Sequence, residues 1–198
     1  MDYIYKKPGE IDYPNYQRYL QSIRDKLPKH IYAFAADISH FNFESHSSLH
    51  DAWLESLIVN EVATGERNEI RQLEVKLALL GSFHDRRIHL HYSGVSHYAF
   101  NTPRRINESR HQHTAHGDLF THEIRLGHNG LFVHELLFER GASFLIECAD
   151  IRHSEEMSLL RTFCFRQFET TNMPRLLKIR KRITAPLLRS LRFLPCSS

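Results

Sequence analysis

The chain has 198 residues, of which 41% are hydrophobic and 25% charged, and it carries a net charge of +3. These are ordinary globular values that exclude wholesale disorder and collagen-like repeats. At this length a folded chain buries roughly 70% of the surface its unfolded form exposes, so a core forms without staples. Three cysteines (Cys148, Cys164, Cys196) are too few and too scattered for a disulfide framework, and the outlying number is histidine, 15 in all.

Met1–Glu10 has no apolar run of the kind a signal peptide needs, and no window approaches 18 consecutive apolar residues. With reduced cysteines, the expected compartment is the cytoplasm. Residues 12–27 read as a helix: Asp12 caps it, Pro14 sits in the first turn and Pro28 ends it, with Tyr16, Leu20, Ile23 and Leu27 on one stripe. Ile31–Ala36 reads as a short buried strand and residues 39–50 as a polar loop.

The next segments carry the period-two signal. Trp53–Val62 is a strand candidate closed by Thr64-Gly65. Leu73, Val75, Leu77 and Leu79 alternate with polar neighbours, as do Ile88, Leu90 and Tyr92 with His89, His91 and Ser93. Gly94 marks a bulge before Val95–Phe100. Residues 101–117 form a long aperiodic loop. Leu119–Leu126 and Leu131–Phe138 flank Gly127-His128-Asn129-Gly130, a hairpin signal, and a second turn at Glu139–Ala142 leads to Phe144–Ala149. After Asp150 the pattern reads as helix again, with Ser154 as cap and Glu155 and Glu156 at the positive end of the dipole.

The sum predicts an α+β fold: an antiparallel meander sheet of about seven strands with an N-terminal helix and C-terminal helices packed on it. Residues 1–170 form the domain and 171–198 a basic amphipathic tail. After Glu169 there is no acid but seven bases, Arg175, Lys178, Arg180, Lys181, Arg182, Arg189 and Arg192. Such a tail suits an anionic membrane surface or nucleic acid.

Three histidine constellations carry chemistry. His111, His113 and His116 fall within six residues of the long loop, and His89 and His91 lie on one face of a strand; together they are the candidate ligands for zinc or another divalent transition metal. The loop spacing resembles the H-x-H-x-D-H signature of metallo-β-lactamases over those six residues alone. Ala115 stands at the aspartate position and a hairpin follows instead of a helix, so that family is excluded. The third constellation is a pair. A four-residue loop at Gly127–Gly130 puts His122 opposite Glu135 and a tight turn centred on Asn129-Gly130 puts them diagonal; either way they can meet on an otherwise apolar face, where a carboxylate could fix an imidazole for acid–base work or simply balance it. On the reverse face His134 is expected near Glu147.

Signatures for a nucleophile elbow, a P-loop, a dinucleotide fold, C-x-x-C and H-E-x-x-H are absent. The leading expectation is therefore a non-catalytic domain of accessory or immunity-like type that binds a protein partner or a second copy of itself. The alternatives are a His-ligated metal-binding protein or metal-dependent hydrolase with no other cofactor, and association with membrane or nucleic acid through the tail.

Overall fold

In the computed structural model, the residues described are 1–7, 10–102 and 116–157, all within the compact unit Met1–Arg161. A two-stranded ribbon, β1 (Tyr5–Lys7) with β2 (Glu10–Ile11), precedes helix α1 (Tyr13–Ile23) and helix α2 (Lys29–Ala36). Eight strands follow: β3 (Trp53–Thr64), β4 (Ile70–Leu80), β5 (Arg86–Ser93), β6 (His97–Asn101), β7 (Leu119–Leu126), β8 (Phe132–Phe138), β9 (Ser143–Cys148) and β10 (Asp150–Met157). They form two antiparallel four-stranded sheets, in the orders β10-β5-β4-β3 and β6-β9-β8-β7. The antiparallel α+β expectation holds; the single meander does not. No helix among the described residues is long and apolar enough to cross a membrane.

The meander splits because two strands each change sheet. β5 continues into β6 and β9 into β10, and the two chains stay paired through the bend, with Ala149 N donating to Ser93 O at 3.0 Å and Ser96 N to Glu147 O at 2.9 Å. Gly94 sits at this bend with φ of +60°, and a Cβ there would lie 2.9 Å from the Cβ of Ala149. Gly94→Ala is thus expected to cost about 2 kcal/mol, from positive-φ strain plus the clash. A urea midpoint unchanged from wild type would refute the bend's dependence on glycine.

One core lies between the sheets. Val75, Leu77 and Leu79 of β4, Ile88, Leu90 and Tyr92 of β5, and Ile151 of β10 face Ile124, Leu136, Phe138, Phe144 and Ile146 of the other sheet. The alternation read from the sequence chose the buried side of β4 and β5 correctly. Helix α1 seals an edge: the phenol of Tyr16 accepts from Ile124 N at 2.7 Å and donates to Ile124 O at 3.1 Å, and that of Tyr19 accepts from Leu126 N at 2.9 Å. These bonds occupy the free ladder groups of β7, which would otherwise be a sticky edge.

Three expectations are overturned. Ile31–Ala36 is helical: Pro28 sits at the start, Tyr32 N bonds Pro28 O at 2.9 Å, and Ile31, Phe34 and Ala35 form the buried stripe. Three alanines favour helix over strand in that run. Residues 150–157 are a strand, because eight consecutive positions pair with β5 from Asp150↔Ser93 to Met157↔Arg86, and the ladder overrides the local capping signals. The connection after β7 holds five residues, Gly127–Leu131, since Leu126 pairs with Phe132; Asn129 and Gly130 take φ of 52° and 77°. One residue more than expected turns every side chain of β8 to the other face. The C-terminal helices and the tail fall outside the described residues.

Candidate metal centre

That one-residue shift decides where the histidines go. His122 stands opposite Leu136, and Glu135 opposite Glu123, so the predicted His122–Glu135 pair does not form. Glu135 instead meets Arg125 Nη1 at 2.9 Å on the outer face. His134 turns inward beside Ile146, while Glu147, expected as its neighbour, faces out opposite Val133 and accepts from His128 N at 3.0 Å.

In the core, Tyr92 Oη lies 2.8 Å from His134 Nδ1, and His134 Nε2 lies 3.1 Å from His122 Nδ1. Among the described residues the phenol has this one acceptor for its proton, and a phenol that donates there sets the chain in one direction, with His134 donating onward from Nε2 and His122 protonated on Nε2. That nitrogen is buried and, among the described residues, has no hydrogen-bond partner. Burial pushes His134 down to about 3, with His40 adding repulsion, and pushes His122 well below the usual imidazole range, with His134, His40 and His153 acting the same way. Both rings are neutral at physiological pH.

Phe34 of α2 is the hub. Its ring lies 4.8 Å from His40, 4.7 Å from His153, 5.7 Å from His122 and 5.9 Å from His134, centroid to centroid. Behind it, His40 and His153 enter a cleft of about 650 Å³ lined also by His30, Asp37, Arg152 and Glu155. His153 and Glu155 are two apart on β10, hence on one face; His40 comes from the short helical turn Ile38–Phe41. One ligand atom from each of His40, His153 and Glu155 lies within 4.8 Å of the other two.

Two of the three donors are held from behind by hydrogen bonds. His40 Nδ1 bonds Phe34 O at 2.9 Å, which leaves Nε2 for the cleft. Glu155 Oε2 accepts from Arg86 Nη1 at 2.5 Å and Ser47 Oγ at 3.1 Å, leaving Oε1 on the side of His153, 3.6 Å from its Nε2. Burial lowers His153 to about 4, with His40 pushing the same way and Glu155 and Asp37 opposing, so the ring is neutral. Asp37 Oδ2 lies 4.0 Å from His40 Nε2. Desolvation works against its charge, but hydrogen bonds from Ser39 and the nearby His40 and His153 hold its carboxyl below the usual range.

The predicted ligands lie elsewhere. His89 and His91 point away from the core, as expected, and each faces a carboxylate: His89 Nε2 is 3.5 Å from Glu156 and His91 Nε2 is 3.1 Å from Glu74. His116 packs against Phe138 and Phe144, with centroids at 5.6 and 5.3 Å. His111 and His113, like the seven tail bases, fall outside the described residues. The sequence reading missed His40, His153 and Glu155. The legible signal was Ile151-x-His153-x-Glu155, an apolar, imidazole and carboxylate series at strand period, hidden by reading Ser154-Glu155-Glu156 as a helix start. Against this geometry, no family model, no curated protein and no solved structure matches the chain.

Proposed function

We propose that this is a transition-metal-binding protein whose ion is held by His40, His153 and Glu155 at the floor of the α2–β10 cleft. The observation that carries the reading is the convergence of three donors of the right type, two of them, His40 and Glu155, oriented by hydrogen bonds from behind and the third, His153, stacked on Phe34. Donors around tetrahedral zinc stand about 3.4 Å apart, given bonds near 2.1 Å, so small side-chain rotations close the remaining gap. Two histidines and one carboxylate leave coordination positions open to the cleft, the composition of catalytic rather than closed structural sites. Asp37 lies beside that opening as an ionised acceptor for a metal-bound water. The chemistry such a site supports is Lewis-acid activation of water, hence hydrolysis.

Protein without a His tag, stripped with chelator and titrated with Zn²⁺ or Co²⁺, is expected to bind one ion per chain. Co²⁺ would give visible bands of four- or five-coordinate N/O ligation. His153→Ala is expected to weaken binding more than about 100-fold, while His89→Ala, on the outer sheet face, leaves it unchanged. Substoichiometric binding, or equal loss in both variants, would overturn the assignment.

A further inference from the structure

Strand β3 is the outermost strand of its sheet, since the order ends there, and among the described residues no strand pairs along its other side. It is 12 residues long and exposed over most of its length, with Ile58 47%, Val59 38% and Trp53 47% accessible. A long, uncovered edge carrying β-branched residues at its centre is an aggregation hazard unless something pairs with it. The edge of β7 is closed by Tyr16 and Tyr19; no comparable group among the described residues closes β3.

The residues along β3 say what fits. About Ile58 the pattern is a palindrome of residue types: Leu57 mirrors Val59, Ser56 mirrors Asn60, and Glu55 mirrors Glu61. Leu57 and Val59 oppose Leu77 and Val75 of β4 and share the inner face, while Ser56, Ile58 and Asn60 oppose Ala78, Lys76 and Glu74 on the outer face. An antiparallel strand of identical sequence, related by a two-fold axis through Ile58, puts apolar against apolar on the inner side and amide against hydroxyl on the outer. Of the facing acids, Glu55 sits at an irregularity in the β3–β4 register and pairs with Arg87 Nε at 2.6 Å, and Glu61 has Arg71 Nη1 at 3.5 Å. A strand that is complementary to its own reverse meets the requirement of an isologous interface, in which each residue contacts its mirror partner on the second copy.

We infer that the protein forms a homodimer by antiparallel pairing of β3 with β3 of a second copy, in register about Ile58, making one continuous eight-stranded sheet. The occupant is a second copy because the pattern is self-complementary; a foreign strand requires no palindrome.

Light scattering of the full chain at tens of micromolar is expected to give about twice the 23.4 kDa chain mass. Ile58→Lys places like charges face to face on the axis and is expected to give a monomer with an unchanged circular-dichroism spectrum, since the side chain is half exposed. Register is read by cysteine pairing in a Cys164→Ser, Cys196→Ser background. Ile58→Cys is expected to oxidise to a covalent dimer, whereas Ser56→Cys alone does not, because its mirror position is Asn60. A monomeric wild type, a dimer that survives Ile58→Lys, or cross-linking at 56 and not at 58 would each overturn the proposal; the last two point to another interface or register.

Discussion

Lowering the pH from 7.5 to 5.5 is expected to remove about 3 kcal/mol of stability through His122 and His134 alone. Both are held neutral in the folded protein, with pKa values depressed below the unfolded value near 6.5, that of His134 to about 3. A group depressed in this way contributes fully above pH 6.5, and its contribution falls as the unfolded chain takes up protons the folded one refuses. The loss comes to about 1.4 kcal/mol per histidine between pH 7.5 and 5.5 and continues toward the folded value. The groups facing this pair are Tyr92, His40 and His153, none of which supplies a negative charge to offset protonation. At the surface, burial works against the charges of Asp150 and Asp85, but hydrogen bonds from His30 and His46 hold both carboxyls below the usual range; half-exposed pairs of this kind contribute only a few tenths to 1 kcal/mol each. The buried pair wins. For a domain of this size the melting temperature would drop by about 10 °C. Thermal scans at fixed ionic strength, with imidazole proton resonances followed from pH 8 to 5, check both parts. A flat melting temperature, or titration of every histidine near 6.5, would contradict the buried neutral chain.

Replacing Glu123 by alanine is expected to be the most damaging single change on the outer face of β7. Its carboxylate is fully buried and accepts three backbone N–H groups, from Asp2 at 2.9 Å and from Tyr3 and Ile4 at 2.8 Å, with Arg125 Nη1 at 3.7 Å. Those bonds fasten the first residues across the sheet, where Ile4 is buried and Tyr3 stacks on Tyr19 at 3.6 Å. Truncation leaves three backbone donors without their acceptor, a loss of about 3–5 kcal/mol, while Arg125 keeps Glu135 and Asp2. Glu123→Gln keeps the volume and one acceptor oxygen, so a smaller loss is expected. The measurement is chemical denaturation of both variants, with proteolysis near residues 1–7 as a local readout. Equal, small losses in the two variants would show that the segment is held by packing instead.

Much of the sheet was legible because alternation is a local property. Leu73–Leu79 and Ile88–Tyr92 declare their buried side in seven and five residues, and each lies inside an observed strand. Turns with Gly or Asn-Gly made their neighbours antiparallel. What failed were the places where two local signals compete. Ile31–Ala36 is apolar enough for a buried strand and alanine-rich enough for a helix. Ser154-Glu155-Glu156 caps a helix in isolation, yet lies beside an unpaired edge of β5. At Gly127–Leu131 the Gly and Asn residues suit a four- or a five-residue loop alike, yet the two send His122 to different partners.

Amino-acid order by itself therefore determined the class of fold, the inward sides of β4 and β5, the outward aim of His89 and His91, and the richness in imidazole. Tertiary structure decided the rest: which strands change sheet at Gly94 and Ala149, which face β8 shows the core, and that His40, 113 residues before His153, meets it and Glu155 in one cleft. The reason is range. Periodicity is set by sterics between near neighbours, whereas a cluster drawn from a helical turn and an edge strand exists only once non-local ladders have chosen their register.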